Sequence, residues 1–308
     1  MNIAILGAGA MGMLFGSLLA QKHHVCLIDT NPSRVEQILA DGVQIHEQDG
    51  TVHRFRPSAA ASSEGMKPAD LVIVFVKAMY SRSALKENLR LIGPDTFVMT
   101  LQNGAGHGDI IKEFVPGSRI IIGTTQHNSS VISGTSVHHG GGGKTCIGSL
   151  EGTPPELQTI AKALSSCGIE TSVSDNIQKI IWNKLFLNAS ASVLTGILQV
   201  PLGFLADDPH GWSLTETLVR EAVSVARGEG LDFDADCVLN DIRCTLEHSR
   251  DGLTSIYADL KAGRLSEVDT ISGFVVKSSA RNHVPAPSHA FVLELIHAME
   301  NCCCHKHI

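Results

Sequence analysis

The chain lacks several features that would each have named a partner. It has no stretch of about eighteen consecutive apolar residues, so nothing is expected to span a membrane. Positive charge is not in excess: 24 Lys and Arg against 31 Asp and Glu leave a formal net charge of −7. That balance argues against nucleic acid, because phosphate backbones are held by clustered Lys and Arg. No basic region precedes the first apolar run at Ile3, so a secretory leader is not expected and the protein is read as cytoplasmic. A triphosphate loop is missing as well. The tract HHGGGGKT comes near G-x-x-x-x-G-K-T, but the first glycine would have to stand where His138 is, and no buried strand leads into it.

Eight cysteines are present. Cys26, Cys146, Cys167, Cys237 and Cys244 are scattered through apparent core elements and, without a leader, read as reduced thiols rather than a disulfide framework. Cys302, Cys303, Cys304, His305 and His307 form a dense tract of soft ligands. Adjacent side chains diverge and chain ends fray, so no metal is expected there.

What is present is enough for large cores: 308 residues at 43% hydrophobic content correspond to about two domains. The informative stretch is the first dozen residues, MNIAILGAGAMG. Ile3 to Leu6 read as a short buried strand, and Gly7, Gly9 and Gly12 then fall in G-x-G-x-x-G spacing, with Met11 inside the turn. Gly7 allows the turn, Gly9 removes a side chain where a pyrophosphate must approach backbone, and Gly12 lets the following helix pack on the strand. That helix would aim its free N–H groups and positive dipole end at the phosphates. A helix over Met13 to Gln21 and a second strand over Val25 to Ile28 supply the context such a dinucleotide site requires.

Asp29 follows the second strand, about twenty residues past the glycine turn, where an acid accepts hydrogen bonds from the ribose hydroxyls and repels a 2′-phosphate. This favours NAD over NADP, although Arg34 is near enough to blur the preference. A purely local reading also stands, with Asp29 opening an Asp-Thr-Asn-Pro turn. Residues 42–56 read as a β excursion turning at Asp49-Gly50, and 57–68 as a polar connection. DLVIVFV, residues 70–76, is an uninterrupted apolar run of the kind a parallel strand shows when helices cover both faces. It ends at Lys77. The strand over 96–101 likewise ends in Gln102, Asn103 and Gly104, so Lys77 and Asn103 stand where ligands of open α/β sheets bind. Another strand follows at 119–123, then a β extension with a glycine-rich hairpin to Leu150, a helix over 154–166 and a last strand over 169–173.

At Asn176 the texture changes to apolar residues at three- and four-residue spacing, as in Leu214, Leu218, Ala222 and Val225, with no convincing strand. The expected fold is therefore α/β: a doubly wound dinucleotide-binding domain over 1–174 and an all-helical substrate and catalytic domain over 175–308. In the helical half, Lys184 and Asn188 share a helix face, as do Ser255 and Asp259, and Glu267 and Asp269 follow a break at Gly263. Lys184 with Asn188 would suit a substrate oxygen, since desolvation lowers a lysine pKa toward proton donation near neutrality. Each also has a bland reading: a snorkelling Lys beside an Asn, and Ser266 capping a helix with acids in its first turn.

Taken in order, GAGAMG, VKA at Val76 to Ala78, QNG at Gln102 to Gly104, W-N-K-L-x-x-N at Trp182 to Asn188, and S-E-V-D-x-I-S-G at Ser266 to Gly273 resemble the ketopantoate reductase (2-dehydropantoate 2-reductase) family over nearly the whole chain. The resemblance implies an N-terminal Rossmann-type domain, a C-terminal helical domain and an active site in the cleft between them. It implies Lys184 as general acid, Glu267 as catalytic and substrate-binding, Asn188 and Ser255 as contacts to the substrate hydroxyl region and carboxylate, and Asn103 and Lys77 as lining cofactor and substrate. The implied reaction passes hydride from a nicotinamide cofactor, NADPH by family default, to a 2-keto acid, turning ketopantoate into D-pantoate for pantothenate biosynthesis. This chain departs from the pattern at Ser192, Ser272 and Thr30, where the family often carries Asn, Asn and Arg. These departures open an alternative: an NAD-dependent D-2-hydroxyacid dehydrogenase for branched or aromatic 2-keto acids. A non-catalytic dinucleotide-binding protein would have lost Lys184 or Glu267, and both are present. The pattern leaves a homodimer open and gives no route to the oligomeric state.

Overall fold

The architecture comes from a computed structural model, which describes residues 1–305, with side chains through Cys302. In the terminal Cys/His tract, the side chains of Cys303, Cys304 and His305 and the whole of His307 therefore lie outside the described residues. Among the described residues no helix is long and apolar enough to cross a membrane. The described residues form two compact units: Met1–Gln102 with His107–Ile180, and Asn103–Gly106 with the residues from Ile181 onward.

In the first unit the apolar runs become strands: β1 (Asn2–Leu6), β2 (His24–Ile28), β3 (Val43–His46), β4 (Val52–Phe55), β5 (Ser58–Ala60), β6 (Leu71–Val74), β7 (Phe97–Thr100), β8 (Ile120–Thr125), β9 (Asn128–Ser133), β10 (Ser136–Gly141), β11 (Thr145–Ser149) and β12 (Thr171–Val173). Eight of them make one sheet in the order β12-β11-β8-β7-β6-β1-β2-β5. From β5 to β8 all neighbours are parallel, and β11 returns antiparallel to β8. β6 and β7 are buried at every residue, as continuous apolar strands covered on both faces must be. The chain winds outward from β1 through β2 to β5, then crosses back to β6 and winds the other way. Ligands of such sheets bind beyond the strand ends where the winding reverses, here between β1 and β6.

A smaller sheet, β4-β3-β10-β9, joins two hairpins. Here two expectations change. The β9/β10 hairpin turns at Gly134, with φ of 50°, and the glycine-rich tract ends β10 and carries the chain to β11 in the large sheet. The stretch 57–68 contains β5, paired with β2 along the sheet edge. An edge strand of three small residues needs only one partner and leaves no hydrophobic signature.

Among its described residues the second unit is helical. Its centre is the helix Pro209–Gly228, whose Leu218, Ala222 and Val225 are buried while Leu214 stays 48% exposed. Val193–Leu198, Leu202–Asp207, Ala235–His248, Ser272–Asn282 and Pro287–His305 pack against it, and the unit also holds Ser255–Lys261 and the helix Ile177–Leu187 from Ile181 onward. Asp208, Asp234 and Thr254 cap three of these helices by accepting a backbone N–H, which satisfies donors that have no partner within the helix. Trp182 is fully buried, 5.6 Å from the Phe274 ring, and Phe186 meets Phe233 edge-on at 4.8 Å. The indole N–H donates to Glu229 Oε2 at 3.0 Å, so the buried ring leaves no orphan donor.

Candidate functional site

In the first unit the glycine turn lies at the winding reversal. The Gly7 amide donates to the Ile28 carbonyl at 2.8 Å, and Gly7 adopts φ of 100°. A Cβ there would meet the Val76 nitrogen at 2.8 Å, so the turn is pressed against the end of β6. A Cβ at Gly12 would sit on the Gly7 carbonyl oxygen, whereas one at Gly9 would meet nothing within 4 Å. Gly12 is therefore glycine because of the fold, and the opening over Gly9 is left for something else. Gly9 precedes α1 (Ala10–Leu19) in extended conformation and offers no capping side chain, and no acidic residue occupies the first turn. The helix start, with Met11 partly exposed in it, is equipped to receive an anion.

Asp29 is tied to this turn. Its Oδ2 accepts the Ala8 amide at 2.9 Å, its Oδ1 accepts the Asn31 amide at 3.0 Å, and Arg34 Nη1 lies 3.5 Å from Oδ2. The local turn and the link to the glycine loop thus coexist in one carboxylate. Beside it opens a pocket of about 100 Å³ lined by Gly7, Asp29, Thr30, Ser62, Glu87 and Asn88 among others. In its wall Asn88 Oδ1 is buried and has no hydrogen-bond partner among the described residues. The pocket and the bare helix start fit the adenosine and phosphates of a dinucleotide. Ser62 escaped sequence reasoning because β5, which leads to it, had no apolar signature, and Glu87 and Asn88 because they end the helix Ser81–Glu87, which no motif marked.

Lys77 is partly buried just past β6, and its carbonyl accepts the Tyr80 amide at 2.8 Å. Gln102 explains part of the QNG motif: its Nε2 donates to the Val76 carbonyl at 2.5 Å and its Oε1 accepts from Thr100 Oγ1 at 2.7 Å. It ties the chain before Lys77 to the end of β7.

The second unit collects the other candidates. Lys184 sits on Ile177–Leu187, half-buried, and burial pushes its amine below the ordinary lysine range while the charge of Glu267 partly opposes the shift. Glu267 leads into the short 3-10 turn Val268–Thr270. Thr270 brackets it against residues 103–106. The Thr270 hydroxyl lies 3.2 Å from the Asn103 carbonyl and 3.1 Å from the Glu267 carbonyl, and the Ala105 amide donates to the Thr270 carbonyl at 2.8 Å. Gly104, with φ of 89°, is forced by the same contact, since a Cβ there would overlap the Thr270 carbonyl. Lys184, Glu267 and Asn103 are thereby brought together in one unit.

Asn188 follows Lys184 by one turn and opens a π-helical turn, Asn188–Ser192. Such turns widen a helix and recur at functional sites. Ser192 Oγ donates to Asn188 Oδ1 at 3.3 Å, which leaves the amide N–H groups for another acceptor. Ser255 is exposed at the first position of its helix, and the preceding Thr254 hydroxyl lies 3.0 Å from that of Thr195 and 3.4 Å from the Ser192 carbonyl. The strap through Thr254 places Ser255 beside the π turn. Asp259 and Asp269 do other work: Asp259 Oδ1 accepts from Arg264 Nε at 2.9 Å, and Asp269 lies 3.2 Å from His297. Ser266, read as a helix cap, turns its hydroxyl chiefly to Glu300 at 2.7 Å. Ser272 is fully buried.

Comparison with known proteins follows the same outline. The sequence model of the family described as ketopantoate reductase PanE/ApbA matches residues 3–152, and that of ketopantoate reductase PanE/ApbA C terminal matches residues 176–300. A 2-dehydropantoate 2-reductase of Halobacterium salinarum is 30% identical, covering 96% of this chain and 98% of that one. One from Lactococcus lactis subsp. lactis is 31% identical, covering 97% and 98%. Among solved structures, the ternary structure of D-mandelate dehydrogenase with NADH and anilino(oxo)acetate superposes with a TM-score of 0.91 at 32% identity, covering 98% of this chain and 99% of that one. A PanE/ApbA family ketopantoate reductase from Ralstonia eutropha gives 0.90 at 27% identity, with the same coverage.

Proposed function

The chain belongs to the ketopantoate reductase family, and from that premise we propose that it is an oxidoreductase that reduces a 2-keto acid to the D-2-hydroxy acid, with ketopantoate as substrate. The observation that carries the proposal is the half-buried Lys184 amine, lowered by desolvation, with Glu267 near enough to act on its charge and Asn103 bracketed to the same turn. When bound, the nicotinamide cofactor supplies hydride to the carbonyl carbon. Gly7, Gly9, Met11 and Gly12 would hold its phosphates at the start of α1, Asp29 its ribose, and Lys77 and Asn103 would serve at the strand ends.

Lys184 then acts as general acid. As the carbonyl oxygen gains negative charge, Nζ gives it a proton, a step that typically contributes about a hundred- to ten-thousand-fold. A lowered pKa makes that proton easier to give. The charge of Glu267 opposes the loss of the amine's proton, and Glu267 orients the substrate, Asn188 offers N–H donors to the substrate oxygen, and Ser255 a hydroxyl to its carboxylate. In this reading NADH is preferred over NADPH. The adenosine pocket is lined by the carboxylates of Asp29 and Glu87, and the nearby Arg34 is held by Asp29, which disfavours a 2′-phosphate.

A second reading has its own observation. Ser192 stands where the resemblance implies a larger Asn, a smaller side chain that suits a bulkier substrate, as in an NAD-dependent D-2-hydroxyacid dehydrogenase for branched or aromatic 2-keto acids; the D-mandelate dehydrogenase neighbour supports this reading. One experiment tests both. Purified protein is mixed with NADH or NADPH and a panel of 2-keto acids while nicotinamide absorbance is followed. Turnover of ketopantoate above all others supports the first reading and turnover of aromatic acids the second. No oxidation of either cofactor by any acid would sink the enzyme assignment.

A further inference from the structure

The helix Pro287–His305 brings a buried carboxylate to the segment just ahead of Glu267. Glu300 is 6% exposed, and its Oε1 accepts two bonds from Ser266: the backbone N–H at 2.8 Å and the hydroxyl at 2.7 Å. Its other oxygen, Oε2, lies 3.1 Å from His297 Nδ1, and His297 Nε2 reaches Asp269 Oδ1 at 3.2 Å. Ser266 itself is buried, and its hydroxyl oxygen also accepts the Val268 amide at 3.3 Å. The residues on either side of Glu267 are thus gripped from one helix, Ser266 by Glu300 and Asp269 by His297. Thr270 holds the far end of the same turn against Asn103. Desolvation pulls His297 down, but its hydrogen bond to Glu300 and the charges of Asp269 and Glu300 outweigh that and raise it above the ordinary imidazole value, consistent with a charged bridge.

A buried carboxylate that spends one oxygen on two donors of a single residue is a locating device: charge-assisted bonds of this kind are short and directional. We propose that Glu300 is a positioning residue, which through Ser266 sets Glu267 against Lys184 for proton transfer. The proposal rests on the reading of Lys184 and Glu267 given above. Glu300 touches neither substrate nor cofactor in this account. Its effect passes entirely through the place it gives to Glu267.

The test compares Glu300→Ala, Glu300→Gln and Ser266→Ala in steady-state reduction of the best 2-keto acid, with NADH binding and thermal melting measured on the same samples. Glu300→Ala releases the segment and is expected to lower kcat/KM by about ten- to a hundredfold while the Kd for NADH, set chiefly by the glycine turn and Asp29 in the other unit, stays within about twofold. The alkaline fall in rate should also move to lower pH. With Glu267 displaced, the charge that holds the Lys184 amine up is weakened. A merely structural role would lower Tm and the active fraction but leave that midpoint where it was. Glu300→Gln keeps a carbonyl oxygen for both Ser266 donors and should restore activity to within about threefold of wild type. Ser266→Ala, which keeps only the backbone bond, should fall between the two. If Glu300→Ala does not fold, Ser266→Ala carries the test. Wild-type kcat/KM and an unmoved midpoint in whichever of these folds would overturn the proposal, as would a Glu300→Gln no better than Glu300→Ala. Lys184→Ala and Glu267→Gln run as controls: if they too keep full activity, the parent reading has failed rather than the role of Glu300.

Discussion

Exchanging two glycines of one turn for alanine should have opposite consequences. At Gly9 the backbone is extended, with φ of −73° and ψ of −169°, which alanine adopts freely, and an added Cβ would meet nothing within 4 Å. Alanine at a helix N-cap is poorer than glycine, whereas losing glycine's freedom in the unfolded chain gains about 0.4–1 kcal/mol, so the two terms largely offset. Gly9→Ala should therefore melt within a few degrees of wild type. The methyl group instead fills the space over the start of α1 where a pyrophosphate would lie. Forcing an extra methyl group into a close contact costs about 1–3 kcal/mol, or roughly 5- to 150-fold in Kd. Gly12→Ala places its Cβ on the Gly7 carbonyl oxygen, a backbone atom that cannot rotate away. It should destabilise the first unit by at least about 1–3 kcal/mol, with each kcal/mol lowering Tm by about 2–4 °C. The assays are NADH titration by fluorescence and thermal melting without ligand. A Gly9→Ala protein that binds NADH like wild type would refute the reasoning, and so would a Gly12→Ala protein with unchanged Tm.

Other substitutions probe the remaining parts of the site. Lys184→Ala should lower kcat/KM for reduction by about a hundred- to ten-thousand-fold at nearly constant NADH affinity; equal rates would remove Lys184 from the mechanism. Because burial lowers the Lys184 pKa, the amine is protonated below that value and neutral above it, so reduction should fall as pH rises through it while oxidation of the hydroxy acid rises. A reduction rate that climbs with pH across that range would contradict the assignment. Asp29→Ala frees Arg34 from its partner and opens the pocket to a 2′-phosphate, so the ratio of NADH to NADPH efficiency should drop; an unchanged ratio means Asp29 does not set it. Gly104→Ala should both destabilise the second unit and depress kcat, since its Cβ overlaps the Thr270 carbonyl and shifts Asn103. Melting and kinetics on one preparation would separate the two effects, and no change in either would dismiss the bracket.

How much of this protein is local chemistry shows in particular residues. The glycine turn, the buried parallel strands at 70–76 and 96–101 and the helical texture after Asn176 were all legible, because each rests on a short-range rule: the freedom and smallness of glycine, continuous burial, or a helical period. The same rules put Lys184 and Asn188 on one helix. They could not reach across long separations. That residues 103–106 pack with the helical unit, so that Asn103 meets Thr270, depends on a positive φ at Gly104 and a carbonyl more than 160 residues away. The short edge strand β5 was silent because three small residues with one partner have no pattern, and with it Ser62 was missed. Glu300 gave no sign at all, being one acid among many on an ordinary helix until tertiary packing buried it against Ser266. Sequence alone determined which elements form and which residue types could do the chemistry, since those follow from backbone freedom and hydrophobic period. Only the tertiary structure decided which of those residues meet, because burial, desolvation of the Lys184 amine and the hold on Glu267 exist only once distant segments are packed together.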